Sequence, residues 1–191
     1  VGRGLCAKRE AGMTVYFTAD SHFGHDAIRG YCGRPFPTIE EHDEALTGEW
    51  NRVVGLKDTV YHLGDFTLGG EATARRYFAR LNGRVCILGN EFHHDRRWLS
   101  GGPYWTKYYE VVILPPIHTM KIDGLFIVLC HFPLVIWPRK HYMAIHLHSH
   151  SHGRYQGEGK ILDVGVDNVN KIWGAYRLVS LDEVSEYMEG R

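Results

Sequence analysis

Five short runs of β-forming residues in this chain each lead into side chains that bind hard or borderline metal ions. Residues 14–18 lead to Asp20-Ser-His22, residues 58–63 to Gly64-Asp65, and residues 84–88 to Gly89-Asn90. Residues 125–130 end at His131, and residues 144–148 at His150-Ser-His152. Open α/β folds build their sites beyond the carboxyl ends of successive strands. A repeated order of strand followed by ligand therefore constrains the fold and the chemistry together.

The segments between these runs set the fold class. Thr38 followed by Glu41 is a capping box, and Ile39, Leu46, Trp50 and Val53 then fall on one helical face. A second helix is expected over residues 71–81, closed by the turn Asn82-Gly83 before strand 84–88. Strand, helix and strand in alternation argue for parallel α/β units. The pattern changes after about residue 105. Residues 109–114, 119–122 and 125–130 are apolar or alternating, and Asp123-Gly124 is a hairpin signal between two of them. Further strands are expected at 144–148 and 161–166, and Ser180 with Glu183 forms a capping box for a final helix. The expected fold is mixed α/β: two packed mixed sheets flanked by helices, with a βαβ first half and an antiparallel second half.

At 191 residues the chain has the size of one domain. Strand character begins at Met13, so residues 13–191 are expected to form that domain. The Gly- and Arg-rich residues 1–12 are expected to be a disordered extension. The 22 basic and 22 acidic residues cancel, which leaves no global field to attract nucleic acid or an anionic membrane. A nucleic-acid substrate is not excluded, but it would have to be gripped locally. No apolar stretch has the length of a membrane span and no signal-peptide pattern is present, so the expected compartment is the cytoplasm. Cys6, Cys32, Cys86 and Cys130 are scattered, with no C-x-x-C pair, which speaks against a structural zinc or a disulfide framework. Oligomeric state is left open.

Seven candidate ligands remain: Asp20, His22, Asp65, Asn90, His131, His150 and His152. A structural zinc is usually content with four, so the inventory suits two neighbouring divalent cations better than one. In Asp20-Ser-His22 the two outer side chains point the same way if the backbone is extended. The two oxygens of Asp65 allow it to bridge cations about 3.5–4 Å apart. His146, His148, His150 and His152 lie at alternate positions, and spacing alone does not say which of them bind. Arg29 and Arg34, with Arg139 and Lys140, stand near the expected site loops as candidate phosphate contacts; solvated surface charge is the competing reading. Phe23, Phe66, Phe92 and Trp137 either wall a pocket or pack the core.

As an ordered set these residues resemble the calcineurin-like metallophosphoesterase superfamily, nearest to its small bacterial and phage members. Supporting stretches are Phe17 to His25, Arg34-Pro-Phe36, His62 to Phe66, and Val164-Gly-Val-Asp167. The resemblance runs from about Met13 to the end of the chain. It implies a four-layer αββα sandwich with a dimetal site at one rim. By that likeness Asp20, His22 and His152 bind a first metal, Asp65 bridges, and Asn90, His131 and His150 bind a second. His146 and His148 become mere neighbours of the site, and Ser149 stands where the family element usually has glycine.

One departure matters chemically. The family commonly reads Gly-Asn-His-Asp, whose histidine protonates the leaving group, steadied by the aspartate. Here the text is Gly89-Asn90-Glu91-Phe92-His93-His94-Asp95. Either Glu91 replaces that histidine, or an insertion moves the role to His94 and Asp95. Glutamate, with an ordinary pKa of about 4.3, is a poor acid at neutral pH. The expected activity is hydrolysis of a small phosphoester or nucleotide, as a phosphatase or phosphodiesterase, by a metal-bridging hydroxide attacking phosphorus in line. Manganese is the expected metal, with iron, nickel and zinc also suited to mixed N/O ligation. The competing reading is a catalytically weak metal-binding scaffold of the same fold, used for protein interaction.

Overall fold

Apolar residues alternate along the strands, and two five-stranded sheets bury those faces against each other. The structure, a computed structural model, describes residues 6–7, 12–91 and 93–190, with Cys6 and Ala7 described by their backbone. The expectation of a disordered stretch at 1–12 falls mostly outside the described residues.

The first sheet holds β2 (Val15–Thr18), β3 (Thr59–His62), β4 (Arg84–Leu88) and β5 (Val112–Leu114), all parallel, with β10 (Val179–Ser180) antiparallel to β2 at its edge. The second sheet runs β1 (Cys6–Ala7), β6 (Ile117–Ile122), β7 (Leu125–Cys130), β8 (Ile145–His148) and β9 (Ile161–Asp163). Five helices accompany them: α1 (Ala27–Cys32), α2 (Ile39–Val53), α3 (Glu71–Phe78), α4 (Val166–Trp173) and α5 (Leu181–Glu189). No helix among the described residues is long and apolar enough to cross a membrane.

Between the sheets lie Val15, Phe17, Leu63 and Leu88 from one side and Ile127, Leu129, Ile145, Leu147 and Leu162 from the other. Burying each such side chain contributes about 1.5–3 kcal/mol. The outer face of the first sheet is covered by α2 and α3, whose Leu46, Trp50, Ala74 and Phe78 join Val60, Val85 and Ile87. The capping signal at Ser180 and Glu183 forms a reciprocal box, while that at Thr38 forms by half, Thr38 accepting the Glu41 N–H. The outer face of the second sheet carries a smaller cluster of Val128, Trp137, Ala144 and Ile161.

The second half departs from the antiparallel expectation. Only β6 and β7 form the hairpin, turning at Asp123-Gly124 with both φ angles positive. β7, β8 and β9 are mutually parallel. The reason is connection length: residues 131–144 and 149–160 are long enough to cross back, which a tight hairpin turn is not. Residues 161–166, expected as one strand, divide at Gly165 into β9 and the start of α4. Within the expected extension, Cys6 and Ala7 pair with Lys121 and Ile122. The parallel directions matter for function, because they bring the carboxyl ends of β2, β3, β4, β7 and β8 to the expected ligands.

Candidate metal centre

Five of the seven expected ligands sit on left-handed backbone: Asp20 (φ 56°), His22 (51°), Asp65 (55°), His150 (66°) and His152 (49°). Such a conformation is uncommon outside glycine, is best tolerated by short polar residues, and costs about 1 kcal/mol or more per residue. It persists here because neighbouring loops are laced together. Asp20 N–H donates to Gly64 O (3.0 Å), His22 N–H to Asp65 O (2.9 Å) and Phe23 N–H to Phe66 O (2.9 Å). Two glycines permit the close approach. A Cβ on Gly64 would lie 3.0 Å from His131 Nδ1, and one on Gly165 would lie 2.5 Å from Asp20 Oδ2.

The side chains form two donor sets that share one carboxylate. Asp65, His93, His131 and His150 converge in the first, and His22, Asp65 and His94 in the second. Asp65 Oδ1 is 2.7 Å from His93 Nδ1, while Oδ2 is 3.5 Å from His22 Nε2, 3.6 Å from His131 Nε2 and 3.8 Å from His94 Nε2. His131 donates Nδ1–H to Leu63 O at 3.1 Å, which leaves Nε2 as its lone-pair nitrogen, 3.2 Å from His150 Nδ1. Ser149 supports this ring: its N–H donates to His131 O, and its Oγ lies 2.9 Å from His131 Nδ1.

Asp20 is fully buried beside both sets. It accepts the His150 N–H (3.1 Å) and lies 4.0 Å from His131 Nδ1 and from His152 Nδ1. His152 stacks against His22, with ring centroids 5.5 Å apart, and belongs to a neighbouring group with Cys32 and Asp167. Its Nδ1 is 2.6 Å from Asp167 Oδ2. Asn90 is buried beyond β4, and its backbone carbonyl accepts the His93 N–H at 3.4 Å.

Burial is the leading electrostatic influence throughout. It holds Asp20 well above the usual carboxylate range, aided by Asp65, Asp163 and Asp167 and opposed by His152. Burial lowers His22 well below the ordinary histidine value and brings His131 down to about 4. Asp65 is the exception: burial would raise it, yet the His93 hydrogen bond and the nearby His131 and His22 hold it below the usual range. For His152, burial is outweighed by hydrogen bonds to Asp167 and Cys32 and by the Asp20 charge, raising it to about 10.

Several expected site residues have other work. Arg34 was a candidate for substrate phosphate, but it is buried and its donors are engaged within the protein. Its guanidinium bonds both Asp167 oxygens (2.9 and 2.8 Å) and the carbonyls of Ser21 and Asp20, so it fixes the ligand loop instead. Arg29 is likewise engaged, by Asp26 and by the carbonyls of Phe36 and Pro37. Asp95, expected to steady His94, is buried under the Asp65 loop. It accepts the N–H groups of Asp65 (2.8 Å) and Phe66 (3.0 Å) and the Trp98 indole (3.0 Å). Burial first, then the Asp65 charge, raise its pKa to about 7. Glu91 is exposed and lines a cavity of about 390 Å³ with Gly89, Arg96, Leu99, Ser100 and Ile113. Phe23, Phe66 and Trp137 pack in cores, while Phe92 lies outside the described residues. His146 holds the preceding 131–144 connection, taking the Leu134 N–H on Nε2 and donating Nδ1–H to Val128 O.

Two contributors were not among the expected seven. His93 bonds Asp65 directly, and Asp163 ties the 150–153 turn through Ser151 Oγ (2.7 Å) and Gly153 N (2.9 Å). Only the run of adjacent His93 and His94 pointed to the former. The donor chemistry suits a cation. His22 Nε2 is buried with no hydrogen-bond partner, and Asp20 and Asp65 bring two carboxylates into a nearly waterless space. These buried His and Asp groups lie close enough together to be capable of holding a metal ion.

Comparison with known proteins supplies relatives without assigned activities. No family model matches the chain. It is 31% identical over 180 residues to an uncharacterized protein of Methanocaldococcus jannaschii, covering 92% of this chain and 91% of that one. The gene 66 protein of Mycobacterium phage L5 is 31% identical over 197 residues, covering 89% of this chain and 91% of the phage protein. The corresponding protein of phage D29 is 29% identical over 202 residues. A crystal structure of a protein of unknown function from Aquifex aeolicus superposes with a TM-score of 0.66 at 21% identity, covering 92% of this chain and all of that one, and so shares its fold. By 31% identity over about nine-tenths of each protein, this chain belongs to the family of the Methanocaldococcus jannaschii protein and the phage L5 gene 66 protein.

Proposed function

We propose that this protein is a dimetal-dependent phosphoester hydrolase acting on a small phosphoester or nucleotide. The observation that carries the reading is Asp65, whose carboxylate belongs to both donor sets. Two divalent cations bound there, manganese by preference and iron, nickel or zinc by chemistry, would supply an activated water and neutralise phosphoryl charge.

The chain's own residues divide the remaining tasks. His93, His131 and His150 with Asp65 would hold one ion, and His22 with Asp65 would hold the other, with His94 in the same group and Asp20 and His152 beside it. Asn90 would add a neutral amide oxygen as a further ligand. Asp167 orients the His152 ring through Nδ1, the usual device for fixing a ligating imidazole. His94 is half-buried, 3.8 Å from Asp65 and on the first turn after the β4 loop. The reading assigns it the proton for the departing oxygen, while its neighbour Asp95 acts by holding the Asp65 loop.

The test is a panel of aryl phosphate mono- and diesters assayed with metal-loaded, chelated and reloaded protein. Turnover should vanish on chelation and return with manganese, and Asp65→Ala should lack it under every condition. Undiminished turnover after chelation would sink the proposal. Tight metal binding without turnover on any ester would favour the scaffold reading instead.

A further inference from the structure

Beside the first donor set the chain places a partly exposed aromatic ring. Phe132 follows the ligand His131 directly. Its ring centroid lies 4.6 Å from that of His150 and 5.0 Å from that of His131, at interplanar angles of 64° and 79°. His93 approaches the same ring at 6.1 Å. Yet Phe132 remains 38% exposed, so it backs onto the ligand imidazoles while offering part of its surface to solvent.

The ring is held there rather than drifting. Leu134 N–H is bonded to His146 Nε2 at 3.0 Å, and Trp137 is buried with its indole donating to Ala144 O. Between these anchors Val135 and Ile136 are 73% and 79% exposed. Residues 132–136 thus form a pinned apolar ledge at the rim of the centre. Tyr31 is another exposed ring, whose ring contact among the described residues is with His25 at 6.4 Å rather than with His131, His150 or His22.

We infer that Phe132 is a specificity residue, forming a subsite for a flat aromatic group, aryl or nucleobase, carried by the phosphoester. This rests on the phosphoester reading above. Phosphorus held at the donor set puts an ester substituent one ring's width away, where Phe132 provides an apolar face. Aromatic pairs at centroid separations of about 4.5–7 Å attract beyond their area burial. A plain alkyl substituent would gain little there.

The experiment compares manganese-loaded wild type, Phe132→Ala and Phe132→Tyr by calorimetry with benzylphosphonate and ethylphosphonate, which differ mainly in the ring. Steady-state hydrolysis of benzyl and ethyl phosphate runs in parallel. Wild type should prefer the benzyl ligand. Phe132→Ala should weaken benzylphosphonate about three- to tenfold and raise KM for the benzyl ester alike, with ethyl ligands within about twofold. Phe132→Tyr should restore the preference. Equal loss for both ligands, or no loss, overturns the aromatic subsite while leaving hydrolysis intact. Failure of wild type to bind either phosphonate overturns the phosphoester reading and the subsite with it.

Discussion

At Gly165 the backbone passes so near Asp20 that an added methyl would sit 2.5 Å from Oδ2 and 3.0 Å from Asp163 Oδ1. Neither carboxylate can retreat easily, since Asp20 receives the His150 N–H and Asp163 receives three donors. Gly165→Ala should therefore cost about 1–3 kcal/mol in urea unfolding. It should also weaken manganese binding about tenfold or more, as loss of a ligand-orienting contact does. Unchanged affinity in titration calorimetry would show that Asp20 is not held for a metal. Asp95→Ala is the companion case. It strands the buried N–H groups of Asp65 and Phe66 and the Trp98 indole, and about 2–4 kcal/mol of stability should go with them. Equal unfolding midpoints for wild type and variant would refute that assignment. At this scale the sequence reading named residues that the structure brings together, Asp65 with His131 and His150 and Asp65 with His22, because a polar residue after an apolar run needs a purpose. It missed the role of Arg34 because its partner Asp167 lies 133 residues away. His93 escaped because adjacent histidines in a loop carry no periodicity to say which one faces inward.

Element by element, the strands whose alternation was clear formed where expected: β4 and β7 match their expected limits, and β2 and β3 are shorter by a residue or two at the ends. Strand direction in the second half was not readable, since an apolar run looks the same in either orientation. The choice was made by the long connections at 131–144 and 149–160, which sequence pattern describes poorly. The first of these is pinned to β8 by His146, buried and neutral, its pKa brought by burial to about 4. An unfolded histidine titrates at about 6.5. Between those values the unfolded chain takes the proton and the folded chain refuses it, so stability is full above about pH 6.5 and falls as pH drops toward 4. The full loss from this one residue is on the order of 3 kcal/mol. Urea midpoints measured from pH 7 to 4 should fall less steeply in His146→Gln than in wild type. Parallel pH profiles for the two proteins would rule the residue out as a contributor.

Across the whole molecule, two sheets contribute candidate ligands to one rim: Asp20, Asp65 and Asn90 follow strands of the first, and His131 and His150 follow strands of the second. Binding at that rim should clamp the sandwich. Metal at about 100 times its dissociation constant adds about 2.7 kcal/mol. For a chain of this size that corresponds to a rise in Tm of about 5–10 °C, reversed by chelation. Scanning calorimetry in EDTA and in manganese checks this, and coincident transitions would deny that both sheets share the site. The most direct measurement is the number of ions bound per chain, obtained by elemental analysis of wild type and Asp65→Ala after manganese loading and desalting. Two ions per wild-type chain, with both sites weakened together in the variant, is the expected result. One ion or none in wild type, or two retained without Asp65, would contradict the shared carboxylate on which the functional reading stands.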